Sequence, residues 1–315
     1  MTRHGWRWSS TLQWFRVEED LLGTLSTATQ EEGALHMRIV QISDTHLSHL
    51  GGVTSANLRL IAGWVNAVLR PDLIVNTGDI VAASPDQPLD RRWAREVHAA
   101  FDAPVVYLPG NHDVGEPGTA PWKGLGVTSD RVAAHCEVFG PDRFAVRNGG
   151  WLLVGLNSEL LGSGLDEEGS QWRWLEEELS APGDEHVLFF CHKPLWLPRT
   201  TPSTAALTVP GHARERLMAL AGDRLAAVGS GHLHRYRRRP RPERPRILEV
   251  WAPSTGFTGQ TDSESPYFEQ LGVVEWRLDD GDANAWFRAP VDLEEREGTA
   301  IDELVRTVDA LDTAG

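Results

Sequence analysis

The sequence predicts an α/β fold of mixed β-sheets flanked by helices, and three observations carry that prediction. From Met37 onward, apolar runs alternate with helical patterns in a β-then-α rhythm. Two late apolar runs, Ile247–Trp251 and Val273–Leu278, follow one another without a clear helix between them, which makes the sheets mixed. Five short polar motifs sit at strand ends or in the loops just after them, where α/β folds place ligand-binding side chains.

The first strong strand opens at Met37 with Arg38-Ile39-Val40-Gln41-Ile42 and is bounded by Ser43 and Asp44. Further strands read at Leu73–Asn76, Val105–Leu108, Leu152–Leu156, Val187–Cys191 and Leu225–Ser230. Helical spacing falls near Ser55–Leu69, Pro88–Phe101, Ser129–Phe139, Ser170–Leu179 and Gly211–Ala221. Residues 1–36 have weak periodicity and read as a poorly anchored extension. At the other end Ile301, Leu304, Val305, Val308 and Leu311 have helical spacing, so 291–315 reads as an acidic amphipathic helix. The division expected is therefore an extension (1–36), one domain (37–290) and a terminal helix (291–315).

A chain of 315 residues is long enough for one large core. Its net charge of -15 works against tight binding to duplex nucleic acid, which needs a basic footprint. An anionic substrate stays compatible with it, because a local metal site outweighs a distant acidic surface. The two cysteines, Cys136 and Cys191, lie in different segments, which fits a reducing cytoplasm better than a disulfide framework. No stretch reaches the roughly 20 apolar residues of a membrane span. The first residues lack the apolar core of a secretory signal. A cytoplasmic protein, with a homodimer left open, is the expectation.

The five motifs are Asp44-Thr45-His46, Gly78-Asp79, Gly110-Asn111-His112-Asp113, Cys191-His192-Lys193 and Gly231-His232-Leu233-His234. Alone, the first two read as surface polar groups and an ordinary turn, and His192 at the end of an apolar run reads equally well as a core histidine. His232 and His234 point the same way if the backbone stays extended, and Gly231 lets the chain pass close to a metal. Together the motifs offer imidazole, carboxylate and amide donors, a mixed N/O set suited to Zn, Mn or Fe rather than Ca. Asp44, Asp79, Asn111 and four of the histidines supply enough donors for two ions that share one bridging carboxylate.

This ordered motif series resembles the calcineurin-like metallophosphoesterase superfamily over roughly Met37 to Phe257. The resemblance implies a four-layer α/β/β/α sandwich with two mixed β-sheets and a binuclear site, loaded with divalent or trivalent ions, at the strand ends. It assigns Asp44, His46 and His234 to one ion, Asn111, His192 and His232 to the other, and Asp79 to both. His112 matches the family's proton-donating histidine and Asp113 the acid that orients it. Gly155-Leu156-Asn157-Ser158, Gln171 and Trp174-Leu175 look like the cyclic-nucleotide phosphodiesterase branch. Two positions depart: Ala82 stands where many members have a second Asp, and no Arg follows Asp113, which argues against a protein phosphatase.

The reaction so implied is phosphodiester hydrolysis of a small anionic, nucleotide-like substrate. A hydroxide bridging the two ions attacks phosphorus, and His112 hands a proton to the leaving alkoxide. Asn111, His112 and Arg235 would contact substrate. Arg235 opens a basic stretch running to Arg246, which reads as a solvated hairpin or as an electropositive rim. Trp196 and Tyr236 lie near ligands in sequence and read as packing residues. A phosphomonoesterase, a pyrophosphatase and a non-catalytic binding module on the same fold are the alternatives.

Overall fold

The computed structural model describes residues 37–294 apart from 83, 119–120, 122–123, 182, 198–205, 242–243 and 259–269. The extension expected at 1–36 and the helix expected across 291–315 lie outside the described residues, except that 291–294 form a turn and its exit.

In chain order the strands are β1 (Met37–Ile42), β2 (Leu73–Asn76), β3 (Val105–Tyr107), β4 (Phe144–Asn148), β5 (Trp151–Gly155), β6 (His186–Cys191), β7 (Leu225–Ser230), β8 (Arg237–Arg241), β9 (Arg244–Trp251), β10 (Val273–Leu278) and β11 (Ala283–Arg288). The helices are α1 (Val53–Trp64, prolonged by a π-turn over Val65–Leu69), α2 (Pro88–His98), α3 (Asn111–Val114), α4 (Ser129–Phe139), α5 (Asp166–Ser180) and α6 (Gly211–Ala221). Local chemistry sets several of the helix starts. Pro88 opens α2 while the Gln87 side chain accepts from Leu89 N, and Thr128 caps α4 by accepting from Arg131 N. Three acidic residues, Asp166, Glu167 and Glu168, occupy the positive first turn of α5.

One sheet has the order β11-β10-β1-β2-β3 and the other β4-β5-β6-β7-β9-β8. Both are mixed: the first has a parallel run β1-β2-β3 ending at the β3 edge with antiparallel β10 and β11 on the other side, and the second has parallel β5, β6, β7 and β9 between antiparallel edges β4 and β8. Alternation along each strand builds the layers. Ile39, Leu73, Val75 and Trp276 of the first sheet meet Leu153, Leu188 and Phe190 of the second in one core. Val40, Ile42 and Ile74 face Leu58 and Ile61 of α1 and Ala94 and Val97 of α2. Leu152, Val154, Val187 and Phe189 face Trp172 and Leu175 of α5 and Ala213 and Leu217 of α6. This is the four-layer α/β/β/α arrangement expected from the sequence.

Three strands escaped sequence reading. β4, β8 and β11 carry charged or polar residues, and β8 contains Pro240; all three are sheet edges, where such residues are tolerated. β8 and β9 form a hairpin out of the basic stretch. Between the sheets, the buried Gln41 side chain donates to Ser230 O (3.1 Å) and Thr77 Oγ1 (3.1 Å) and accepts from Trp276 Nε1 (3.0 Å). It ties β1 to β7 just below the ends of both strands.

Candidate metal centre

The five motifs leave the C-terminal ends of β1, β2, β3, β6 and β7 and meet around one turn, Thr77–Ile80. That turn works as a spine. Gly78 O accepts from Asp44 N (2.9 Å), Asp79 O from His46 N (3.0 Å) and Ile80 O from Leu47 N (2.8 Å). Thr77 O faces His192 Nδ1 at 2.8 Å. Gly78 (φ 102°) is packed so closely that an added Cβ would lie 2.6 Å from Gly110 N and 2.8 Å from His192 Nδ1, so no other residue fits.

Among the described residues seven non-glycine positions have left-handed φ, and five of them are Asp44, His46, Asp79, His232 and His234. For a non-glycine residue this conformation is uncommon and persists where the surroundings enforce it. Strain so concentrated in one cluster makes that cluster the candidate functional centre. It also corrects one expectation: His232 and His234 converge through left-handed backbone, not through an extended one.

Two groups of side chains share Asp79. Asp44, His46, Asp79 and His234 form one, and Asp79, His192 and His232 the other; within each, one donor atom per residue lies within 4.8 Å of all the rest. His46 Nε2 is 3.1 Å from His234 Nε2, and His234 Nε2 is 3.3 Å from Asp44 Oδ1. His232 Nδ1 lies 3.1 Å from His192 Nε2, which is 3.3 Å from Asp79 Oδ2 and 3.2 Å from Asn111 Oδ1. Donors each about 2.1 Å from a common ion, at octahedral to tetrahedral angles, stand about 3.0–3.4 Å apart. The observed spacings fit that edge length.

Proton bookkeeping supports the same conclusion. A carbonyl only accepts, so His192 Nδ1 must carry the proton it gives Thr77 O, and His232 Nε2 the proton it gives Ala206 O (2.8 Å). With both rings neutral, as ligation requires, two lone pairs face each other across 3.1 Å, a gap that a proton on His192 fills when no ion is held there. A cation held between them removes that repulsion, and backbone carbonyls are the usual partners that fix a ligating imidazole. In the other group Asp44 Oδ1 is buried without a hydrogen bond, a donor left open beside His234. Without an ion the imidazoles respond to one another. Burial, and next the neighbouring His112, hold His46 well below the usual range; burial and His192 do the same to His232. Burial also opposes charge on His192, but Asp79, Asp44 and Glu159 outweigh it and raise that ring to about 10.

Comparison with known proteins agrees with this geometry. The family description "Calcineurin-like phosphoesterase" matches residues 37–236. The chain belongs to that family. A probable glycerophosphodiester phosphodiesterase GpdQ of Arcobacter nitrofigilis is 28% identical over 212 residues, 63% of this chain and 72% of that protein. The serine/threonine-protein phosphatase CPPED1 of Danio rerio is 33% identical over 180 residues, 53% of this chain and 55% of its own. This chain thus spans only about half the length of that relative. Among solved structures, GAP50, the anchor in the inner membrane complex of Plasmodium, shares the fold with a TM-score of 0.58 at 12% identity, over 82% of this chain and 86% of its own. Purple acid phosphatase PPD1 of yellow lupin also gives 0.58, at 14% identity, over 84% and 53%. As a calcineurin-like phosphoesterase the protein is a metal-dependent phosphoester hydrolase.

His112 sits beside the first group, its ring 4.7 Å from that of His46. Asp113 does not orient it. The Asp113 carboxylate accepts from Ile80 N (3.0 and 3.1 Å), Val81 N (3.0 Å) and Gly110 N (2.8 Å), while His112 Nδ1 meets Ala82 O at 2.8 Å. Three amides saturate the buried acid, so it braces the turn that carries Asp79. Burial and the nearby Asp79 push Asp113 up to about 7. Ala82, where many family members place an acid, contributes its carbonyl to the histidine instead. Arg235 is partly buried directly after His234. Farther along the hairpin, Arg237 lies over Trp251, and Arg239 and Arg241 share the buried Glu249. Those three serve the hairpin itself, and Tyr236 packs against Phe287.

Sequence reasoning missed the supports around the centre. Phe257 packs at a tilt against His46 (4.6 Å) and edge-on against His234 (4.5 Å), and Ser254 Oγ donates to Asp44 O (2.8 Å). Neither residue carries a motif of its own. Lys193 stood in a motif without a role; it is fully buried and paired with Glu159 at 2.8 Å. Gln171, noted for its resemblance alone, exchanges two 2.9 Å hydrogen bonds with the Asn157 backbone and so fixes the loop that carries Glu159.

Proposed function

We propose that the protein hydrolyses phosphodiesters of small nucleotide-like molecules with two metal ions, using His112 as proton donor. The observation that carries this reading is the shared Asp79: its Oδ2 lies 3.3 Å from His192 Nε2 in one group and 3.8 Å from His46 Nε2 in the other. Asp44, His46 and His234 would hold one ion and Asn111, His192 and His232 the other. When bound, the ions neutralise phosphoryl oxygens and make a nucleophile available at neutral pH.

The remaining chemistry belongs to the chain. His112 Nδ1 keeps its proton on Ala82 O, so Nε2 is the atom that holds and releases the proton for the leaving oxygen. His112 N donates to Asp79 Oδ1 at 2.9 Å, which couples the position of the donor to that of the shared carboxylate. Asn111 would reach both ion and substrate, and Arg235 would meet the substrate's charge. The phosphodiesterase named among the relatives favours a diester; the nucleotide-like class rests on the sequence resemblance. A phosphomonoesterase is the second reading, favoured by the phosphatases that match at similar identity.

Hydrolysis of bis-p-nitrophenyl phosphate and p-nitrophenyl phosphate by metal-stripped protein, before and after Mn²⁺ is restored, tests this reading. Metal-restored turnover with preference for the diester supports it. Preference for the monoester moves the assignment to the second reading, and no turnover with two ions bound contradicts both.

A further inference from the structure

The basic stretch singled out in the sequence meets a second feature away from the metal centre. On the outer face of the second sheet, a cavity of about 510 Å³ opens between α6 and the β8–β9 hairpin. One of its walls, Ile247, lies four residues before Trp251, about 13 Å down the strand from the end that faces the metal centre. Trp196, Met218 and Ile247 give it an apolar floor, and its volume falls within the range of about 300–1,000 Å³ typical of small-molecule sites.

Three cations surround that floor: Arg214 of α6, with Arg241 and Arg244 of the hairpin. The Arg241 guanidinium lies over the Trp196 ring, 4.4 Å from its centroid, and leans on Glu249 at 3.3 Å. Arg214 reaches only a backbone oxygen, Leu195 O, at 3.4 Å, and Arg244 is exposed. Neither of these two has an acidic partner among the described residues. Glu215, exposed, is the single carboxylate in the lining. In a chain of net charge -15, guanidinium groups gathered round an apolar cavity repel one another and attract an anion with an apolar body.

We infer that this cavity binds an organic anion that carries a flat ring beside its phosphate, of the nucleoside monophosphate class. The ring lies on Met218, Ile247 and the Arg241–Trp196 stack, and the phosphate takes the guanidinium groups of Arg214 and Arg244. Arginine suits both halves, because its planar head pairs phosphate and stacks on rings. The site is independent of the phosphoesterase centre and of its substrate.

Calorimetric titration of AMP into the metal-loaded full-length chain tests this, run beside the Arg214→Gln/Arg244→Gln double variant. Neither residue belongs to the metal centre, so turnover of bis-p-nitrophenyl phosphate reports an intact fold. The expected result is a binding step that weakens at least about tenfold in the variant and for adenosine, with turnover within twofold of the parent. A step common to both proteins belongs to the metal centre. Superposable isotherms for the two proteins overturn the inference, and so does adenosine binding as tightly as AMP. Inorganic phosphate that binds as tightly as AMP removes the ring from it. If the double variant loses turnover, Arg244→Gln alone, at an exposed position, decides by the same comparison.

Discussion

His98 Nε2 accepts a hydrogen bond from Asn76 Nδ2 at 2.9 Å, and Asn76 Oδ1 accepts in turn from Gly78 N at 3.0 Å. The other ring nitrogen, Nδ1, donates to Ala94 O of α2 at 2.7 Å. A chain of three hydrogen bonds therefore runs from a helix to the turn that carries Asp79, and it closes only while His98 is neutral. A proton on Nε2 would set two donors against each other.

The first prediction concerns pH. Burial lowers His98 from 6.5 to about 4, so between those values the unfolded chain binds the proton more tightly. The stabilisation is fully present above pH 6.5 and is lost as pH falls toward 4, at most about 3 kcal/mol. His98→Gln keeps an acceptor for Asn76 without titrating. Urea unfolding at several pH values should show a shallower loss in the variant across this window; equal slopes would remove His98 as the cause.

Asp113 and His112 should separate metal binding from chemistry. Asp113→Asn turns one accepting oxygen into a donor among three amides and should weaken metal affinity about 10–100-fold. His112→Ala should keep both ions and lose about 10²–10⁴-fold in rate on substrates with poor leaving groups. Metal titration and turnover on both variants check this, and a swapped pattern would reverse the two roles.

The buried pair Lys193–Glu159 should be sensitive to one-sided change. Burial pushes the Glu159 carboxyl up even though Lys193 pulls it down. Lys193→Met alone should cost about 3–5 kcal/mol, because it strands a buried carboxylate. Adding Glu159→Gln should recover much of that loss. A double-mutant cycle measures the coupling, and strict additivity would show that the two side chains act independently.

His135 is fully buried, and neither ring nitrogen has a hydrogen-bond partner. His135→Leu should therefore stabilise the fold by about 1 kcal/mol. In a domain of this size that raises Tm by about 2–4 °C. A fall in Tm would mean that the ring's packing against Phe139 outweighs its unmet polar atoms.

The motif cluster was legible because each of its members follows an apolar strand run, and such positions fall at the C-terminal ends of parallel strands, which the two sheets bring together. The outer strands β4, β8 and β11 were not legible: edge positions accept charge and proline, which erases the apolar signal. Asp113 departs from the role the resemblance implied for it, because a short helix turns its carboxylate back toward Ile80 and Val81. Asn76 with His98, and Phe257 with His46, are contacts between distant segments. They come into being only when helices and sheets pack, so no local pattern records them.

Metal content decides the central claim most directly. Plasma mass spectrometry on the protein after Mn²⁺ loading and dialysis should find two ions per chain in the parent and fewer than one in Asp79→Asn, since both groups lose their shared carboxylate. One ion per chain in the parent, or two retained in Asp79→Asn, would contradict a centre built around that residue.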